Sequence, residues 1–412
     1  MAQSRKDFRG RALHKGESQR ASDGRYVYSY TDPLGRRKYI YANDLASLRE
    51  KEKKLMKDQL DGLDIYASGH ATINDTFDRY MAVKYELRES TRSNYNYMYD
   101  HFVRDEFGRK RLVDIKYSDI LQFYNYLLNE KNVALCTLDS VHCLLHPTFQ
   151  LAVRDDIIRK NPTDGVIKEI LKQCGKNKGV RRALTVEQQR AFMDYIANHP
   201  VYYHWWPLFT VLLGTGCRIG ECLGLRWEDL DFENKVISIN HSLVYYPVDG
   251  SKNSTLRVSS PKTDAGIRNI PMLDVVRDAF ELEREEQQET GFNEQVIDGM
   301  SGFVFKNRFG CAHNPQTVND AIKRIVANYN SEERLAAKKE KRQEVILPNF
   351  SCHVFRHTFA TRLCEVETNL KVIQYVMGHK NIETTMDIYA EATERKNQEC
   401  FDNLEVKWAN IF

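Results

Sequence analysis

No run of about 18 apolar residues, the length a helix needs to cross a bilayer, occurs in the chain, so no transmembrane span is expected. The opening MAQSRKDFRGRALHKG lacks the apolar centre of a secretory leader, and the protein is expected to stay in the cytosol. Paired cysteines are missing too. The nine cysteines (136, 143, 174, 217, 222, 311, 352, 364 and 400) are odd in number, scattered, and form no Cys-x-x-Cys pair. Cys217 and Cys222 are neighbours without a matching second pair. That argues against structural zinc and for reduced, mostly buried thiols. Net charge is small as well, at +3.

A chain of 412 residues is too long for one small core, and two or three domains are expected. With 42% apolar and 28% charged residues, the composition is that of a soluble globular protein. The small net charge conceals an asymmetry. Residues 1–60 carry 15 Lys and Arg against 8 Asp and Glu, or +7, which leaves −4 for the rest. Part of that deficit is the acidic run Glu281-Leu282-Glu283-Arg284-Glu285-Glu286. A basic end on a near-neutral body suits nucleic acid better than a membrane surface, although a merely solvated surface would have the same charge.

The first segment reads strand, strand, helix. Arg25 to Tyr30 and Arg37 to Tyr41 are rich in strand formers around the turn signal Asp32-Pro33-Leu34-Gly35, with a shorter strand expected near Gly16 to Arg20. From Asp44, Leu45, Leu48, Leu55 and Leu60 form one helical stripe, with Asn43 or Asp44 as N-cap. Such a helix covers one sheet face. The other is left for Arg25, Arg37, Tyr39 and Tyr41, as a DNA-facing surface or as half-buried packing. A linker is expected from Asp61-Gly62 to Ser68-Gly69-His70. Four helices should follow, starting at Thr72 or Asn74, Ser90-Thr91, Tyr117-Ser118-Asp119 and Cys136-Thr137, and closed by Asn161-Pro162. His142 and His146 are four residues apart without a third ligand, which favours packing over metal. A second linker, Gln173 to Gly179, precedes a larger mixed domain that opens with Thr185 as N-cap.

Chemistry concentrates in that last part. In Thr215-Gly216-Cys217-Arg218-Ile219-Gly220-Glu221, Gly214 and Gly216 break an apolar helix, and Arg218 falls at the start of the next, the end that favours anions. Glu221, three residues on, shares its face and can orient it. Two strand-like runs, Val236 to Asn240 and Leu256 to Ser259, lead to Pro261-Lys262-Thr263, where a lysine in a turn can enter a site from the side. His353 and Arg356 sit one turn apart on a helix, and His357 points elsewhere. Gly378 can end a helix in Met377-Gly378-His379, setting His379 in a sharp turn, and Tyr389 follows ten residues later. Taken singly, an Arg-x-x-Glu pair, a turn lysine or one of 22 tyrosines is ordinarily structural. In this order they supply cations and donors for a phosphate and a hydroxyl to attack it.

These strings, Arg218-x-x-Glu221 with Leu225-Arg226-Trp227-Glu228-Asp229-Leu230, Lys262-Thr263-x-x-Gly266-x-Arg268-x-Ile270-Pro271, His353-x-x-Arg356, Gly378-His379 and Tyr389, resemble the active site of tyrosine recombinases. The resemblance spans roughly residues 72 to 400. The basic segment before it resembles the arm-site-binding domain of conjugative-transposon and phage integrases, which Xer-type resolvases lack. The resemblance implies a multidomain α+β chain: a small sheet plus helix over residues 1–66 binding arm sites, a helical core-binding domain over 72–172, and a mainly α catalytic domain with a small β-sheet over 180–412. It implies excision and integration of a mobile element in bacterial DNA through a 3′-phosphotyrosine and a Holliday junction, with no metal or ATP. The implied catalytic set is Arg218, Lys262, His353, Arg356, His379 and the nucleophile Tyr389, supported by Glu221. Double-stranded DNA (element ends, arm sites, target site) and a tetramer on DNA are the implied partners, with an excisionase and DNA-bending proteins as candidates and no membrane. A tail from Glu391 to Phe412, with apolar Phe401, Leu404, Val406, Trp408 and Phe412, is expected to pack on a neighbouring subunit or on its own domain. A type IB topoisomerase shares the chemistry, but the extra basic domain argues against it. A dead-site DNA-binding protein would have lost a catalytic residue. A metal-dependent nuclease would need clustered carboxylates, which are missing.

Overall fold

The computed structural model describes residues 5–31, 37–60, 71–173, 182–248, 253–261, 264–390 and 392. They fall into two compact units, Met1–Lys178 and Gly179–Phe412. The turn expected at 32–35, the linkers at 61–70 and 174–179, Lys262, and the tail apart from Ala392 lie outside the described residues.

In the first unit, β1 (Glu17–Gln19), β2 (Tyr26–Thr31) and β3 (Arg37–Ala42) form an antiparallel sheet in that order. Helix α1 (Leu45–Leu60) starts where the Asp44 carboxylate accepts the Ser47 N–H at 2.8 Å. Strand alternation then sorts the side chains. Tyr26, Tyr28, Ile40 and Ala42 pack on Leu45 and Leu48 of α1. Arg37, Tyr39 and Tyr41 lie on the other face of β3, with Arg25 just ahead of β2.

Five helices follow: α2 (Ile73–Val83), α3 (Glu89–Phe102), α4 (Tyr117–Asn129), α5 (Leu135–Arg154) and α6 (Val166–Gln173). Thr72 and Asp75 close a capping box at the start of α2, so Ile73, Phe77, Tyr80 and Met81 fall on the buried side. Phe77 stacks on Tyr99 of α3 at 3.6 Å between ring centroids. Asn161-Pro162 does not close the bundle. The Asn161 side chain accepts both the N–H and the hydroxyl of Thr163, at 3.1 and 2.6 Å, and so turns the chain. Helix α6 then adds Val166 and Ile170 to the same core. His142 bonds the Tyr124 hydroxyl and His146 the Asp164 carboxylate. Of the seven described cysteines four are buried, but Cys136 and Cys143 are exposed, because they fall on the solvent side of the Leu138–Val141–Leu145 stripe of α5.

The second unit begins with α7 (Val186–Asn198), capped by Thr185 and Gln188, and α8 (Trp206–Thr215), an almost wholly apolar helix. Helix α9 (Ile219–Gly224) leads into two small antiparallel sheets. One runs β4 (Leu230–Asp231), β5 (Val236–Ile239), β8 (Arg268–Pro271); the other is the hairpin β6 (Ser242–Pro247) and β7 (Ser254–Ser259). Strand β6 was not expected; half-exposed and ended by Pro247, it carries the weak signal of an edge strand. Strands β7 and β8 are in different sheets, so the Lys262 connection joins two sheets and does not close a hairpin. Helices α10 (Asp274–Thr290), α11 (Pro315–Glu340), α12 (Cys352–Val366) and α13 (Leu370–Met377) complete the unit with the helical residues 382–390. Phe192, Phe209, Phe350 and Phe355 pack at its centre, with Phe192 and Phe355 5.5 Å apart.

The acidic run on α10 is not uniformly solvated. Glu283 is buried and hydrogen-bonded by Gln287 at 2.6 Å, and burial pushes its carboxyl up to about 7. A carboxyl whose folded pKa is raised loses stability as pH climbs from its unfolded value through the folded one. Glu283→Gln is therefore expected to raise the thermal midpoint at about pH 8 and to leave it nearly unchanged at about pH 5. Thermal melts at both values check this.

Candidate active site

Three arginines from three elements meet at the C-terminal end of α13. A helix leaves its last carbonyls without intrahelical partners, and cations are favoured there. Arg268 of β8 donates from Nε to the Val376 carbonyl at 2.8 Å. Arg356 of α12 donates from Nη2 to the Met377 carbonyl, and Arg218 from Nη2 to the Gly378 carbonyl at 3.2 Å. Three consecutive carbonyls thus take three different guanidiniums. The backbone can make this turn because Gly378 sits at φ +59°, and an added Cβ would lie 3.0 Å from the Arg268 Nη1.

Glu221 ties two of the arginines together. Arg218 is the N-cap of α9, and its backbone N–H and Nη1 reach the two Glu221 oxygens at 3.0 and 2.6 Å. Arg268 Nη2 donates to the same carboxylate at 2.9 Å. Burial by itself would raise the Glu221 carboxyl; Arg268 and Arg218 outweigh it and hold it below the usual range. Arg356 is buried and also donates from Nη1 to Gly216 O at 2.7 Å, at the left-handed end of α8. Burial first, then the neighbouring Arg218, lowers it to about 10, so it stays charged at neutral pH. Among the described residues, three guanidiniums against one carboxylate leave two positive charges for an anion. The Arg218 side chain is 41% exposed and open to one, whereas that of Arg268 is fully covered.

His379 follows directly. Its ring bonds Thr385 Oγ1 through Nδ1 at 3.0 Å, and both residues are buried. Burial, then Arg356, Arg218 and Arg268, lowers it to about 4, so it is neutral near pH 7. His353 is exposed one turn before Arg356 on α12. Tyr389, half-buried on the helical residues 382–390, packs against an apolar cluster that includes Ile373 and Met377 of α13, the helix whose end the arginines cap. The structure therefore pairs Arg218 with Glu221, brings Arg218 and Arg356 to adjacent carbonyls just before His379, and puts Tyr389 on an apolar cluster that includes Met377. Lys262 lies outside the described residues, next to the 264–266 turn. Sequence reasoning quoted Arg268 only as part of a string and missed Thr385. A buried arginine needs a partner, and the signal for both lay only in contacts far apart along the chain.

On the N-terminal sheet, Tyr39 and Tyr41 are 51% and 45% exposed, with the Arg37 and Arg20 guanidiniums over their rings at 6.0 and 5.8 Å. Behind it, ligand atoms of His14, Glu17 and Glu52 lie within 4.8 Å of one another, a group that sequence reading did not foresee. Arg49 already donates to Glu17 from Nε at 3.0 Å, so a guanidinium fills the place of a cation.

Residues 182–396 match the model of the phage integrase family. The chain belongs to that family. It is a tyrosine recombinase, an enzyme that breaks and rejoins DNA. Residues 1–59 match the DNA-binding domain of Tn916 integrase, and 72–128 the N-terminal SAM-like domain of phage integrases. The transposase of transposon Tn916 from Enterococcus faecalis is 33% identical over 406 residues, 95% of each chain. That of Tn1545 from Streptococcus pneumoniae is 32% identical over the same share. The solved Tn1549 transposon integrase, in complex with a circular intermediate DNA, superposes with a TM-score of 0.68 at 28% identity, covering 80% of this chain and 99% of that one. Among the described residues, no helix of this integrase is long and apolar enough to cross a membrane.

Proposed function

We propose that this integrase excises and integrates a conjugative transposon, with Tyr389 as nucleophile and Arg218, Arg356 and His379 as the phosphate site. The carrying observation is the row of three carbonyls capped by three arginines with a single carboxylate among them. It holds two forks in place before substrate arrives, and their unspent charge matches a phosphoryl transition state. Transposases and an integrase bearing transposon names, two of the solved integrase structures holding transposon end or circular intermediate DNA, support the transposon reading.

In the proposed reaction the Tyr389 oxygen attacks phosphorus, and the bond to the 5′-oxygen breaks. His353 takes the phenol proton and Lys262 protonates the departing oxygen. In the tautomer in which the Thr385 hydroxyl donates to Nδ1, neutral His379 carries its proton on Nε2 and hydrogen-bonds a non-bridging oxygen through it. The 3′-phosphotyrosine keeps the phosphodiester energy, so the 5′-hydroxyl of the partner strand can attack it without ATP. Two cuts on each of two duplexes call for four subunits and a Holliday junction. Residues 1–66, carrying Arg25, Arg37, Tyr39 and Tyr41, would bind arm sites, residues 72–172 the core site, and 180–412 would perform the chemistry. An excisionase and DNA-bending proteins would set direction, and the tail would dock on a neighbouring subunit.

Recombination of a plasmid bearing both element ends is the test, run in EDTA without nucleotide. Product is expected. A strict need for a divalent ion at the cleavage step would overturn the proposed chemistry.

A further inference from the structure

We propose that Arg268 is a positioning residue of the cleavage reaction: it neutralises Glu221 and anchors the end of α13, so that the Arg218 charge is left for the scissile phosphate. The inference rests on the phosphate-site reading above. Arg268 has no access to substrate, since its side chain is fully covered. All three of its guanidinium nitrogens are spent on protein: Nε on Val376 O at 2.8 Å, Nη1 on Gly266 O at 3.3 Å and Nη2 on Glu221 Oε2 at 2.9 Å. It therefore joins three separate pieces: the 264–266 turn, the α9 carboxylate and the last turn of α13. A further bond runs the same way, from the Asn269 N–H to the Tyr375 hydroxyl at 3.4 Å.

Glu221 is one carboxylate shared by two arginines. Without Arg268 it would be a buried anion with Arg218 as its only bonded partner among the described residues, and Arg218 would be drawn into neutralising it. The group would fall from two net positive charges to one, and the lost charge comes from the clamp most open to substrate. The Val376 carbonyl would also lose its cap beside Gly378, whose carbonyl Arg218 holds.

Single-turnover cleavage of a nicked duplex by the full chain tests this, with DNA affinity and thermal midpoint measured on the same preparations. Arg268→Met is expected to slow cleavage about tenfold or more, with DNA affinity nearly unchanged. Arg268→Lys, which keeps charge and volume, should recover part of the rate and guards against a variant that fails to fold. The decisive variant is Arg268→Met with Glu221→Gln. Glu221→Gln alone should slow the native chain, yet in the Arg268→Met background it should speed cleavage, because it removes the uncompensated carboxylate. The acid limb of the rate–pH profile should move to higher pH in Arg268→Met, since Arg268 is among the charges that keep His379 neutral. A purely structural role would give rates that follow the thermal midpoint, no reversal by Glu221→Gln and no shift of the profile; any of these overturns the inference. Failure of the underlying site reading shows separately, as a native chain that forms no covalent adduct with the duplex.

Discussion

Replacing Arg356 with lysine is expected to slow strand cleavage about a thousandfold while changing DNA affinity much less. The charge is kept, so the salt dependence of binding should stay as it was. What is lost is the fork. Arg356 donates from Nη1 to Gly216 O and from Nη2 to Met377 O, two carbonyls 161 positions apart on different helices. A lysine ammonium on a flexible stem cannot hold both and still face a phosphate oxygen. Removing one preorganised donor from a charge-developing site commonly costs about a hundred- to a thousandfold, and here the clamp and its anchor go together. The buried carbonyl left unbonded adds about 1–3 kcal/mol of lost stability. Single-turnover cleavage, gel shift across a salt series and thermal melts separate the three effects.

The second large effect is expected from Tyr389→Phe, which should abolish the covalent protein–DNA adduct and all recombination. Only one oxygen is removed. The ring keeps its place against the apolar cluster around Met377, so the thermal midpoint should move by no more than a few degrees and DNA binding should persist. A denaturing gel and a gel shift on the same preparation check both halves. Loss of binding along with the adduct would mean that the hydroxyl does structural work.

Local signals carried much of this architecture. Thr72 with Asp75 and Thr185 with Gln188 announce helix starts by short-range hydrogen bonds, and Gly378 ends α13 where its spacing placed it. Arg218 and Glu221 pair because three residues make one helical turn. Helix α6 was hidden because Asn161-Pro162 looks like a stop, yet Val166 and Ile170 still find the core. The burial of Glu283 was hidden because three of its five closest neighbours in the run are acidic. The row of capped carbonyls could not be read at all. Its bonds join residues 108 apart for Arg268 and Val376, and 160 apart for Arg218 and Gly378. No periodicity spans such separations, and only packing of β8, α9, α12 and α13 brings them together.

A nicked suicide duplex bearing the element's end, incubated with the full chain in EDTA and then digested with nuclease and trypsin, would trap the nucleophile by mass. Cleavage at Lys380 and Arg395 leaves a peptide over residues 381–395 in which Tyr389 is the sole tyrosine. A nucleotide remnant on that peptide, at Tyr389, is the expected result. A remnant on any other residue, or cut DNA with no adduct on the protein, would contradict a reaction that runs through Tyr389 at the arginine-capped end of α13.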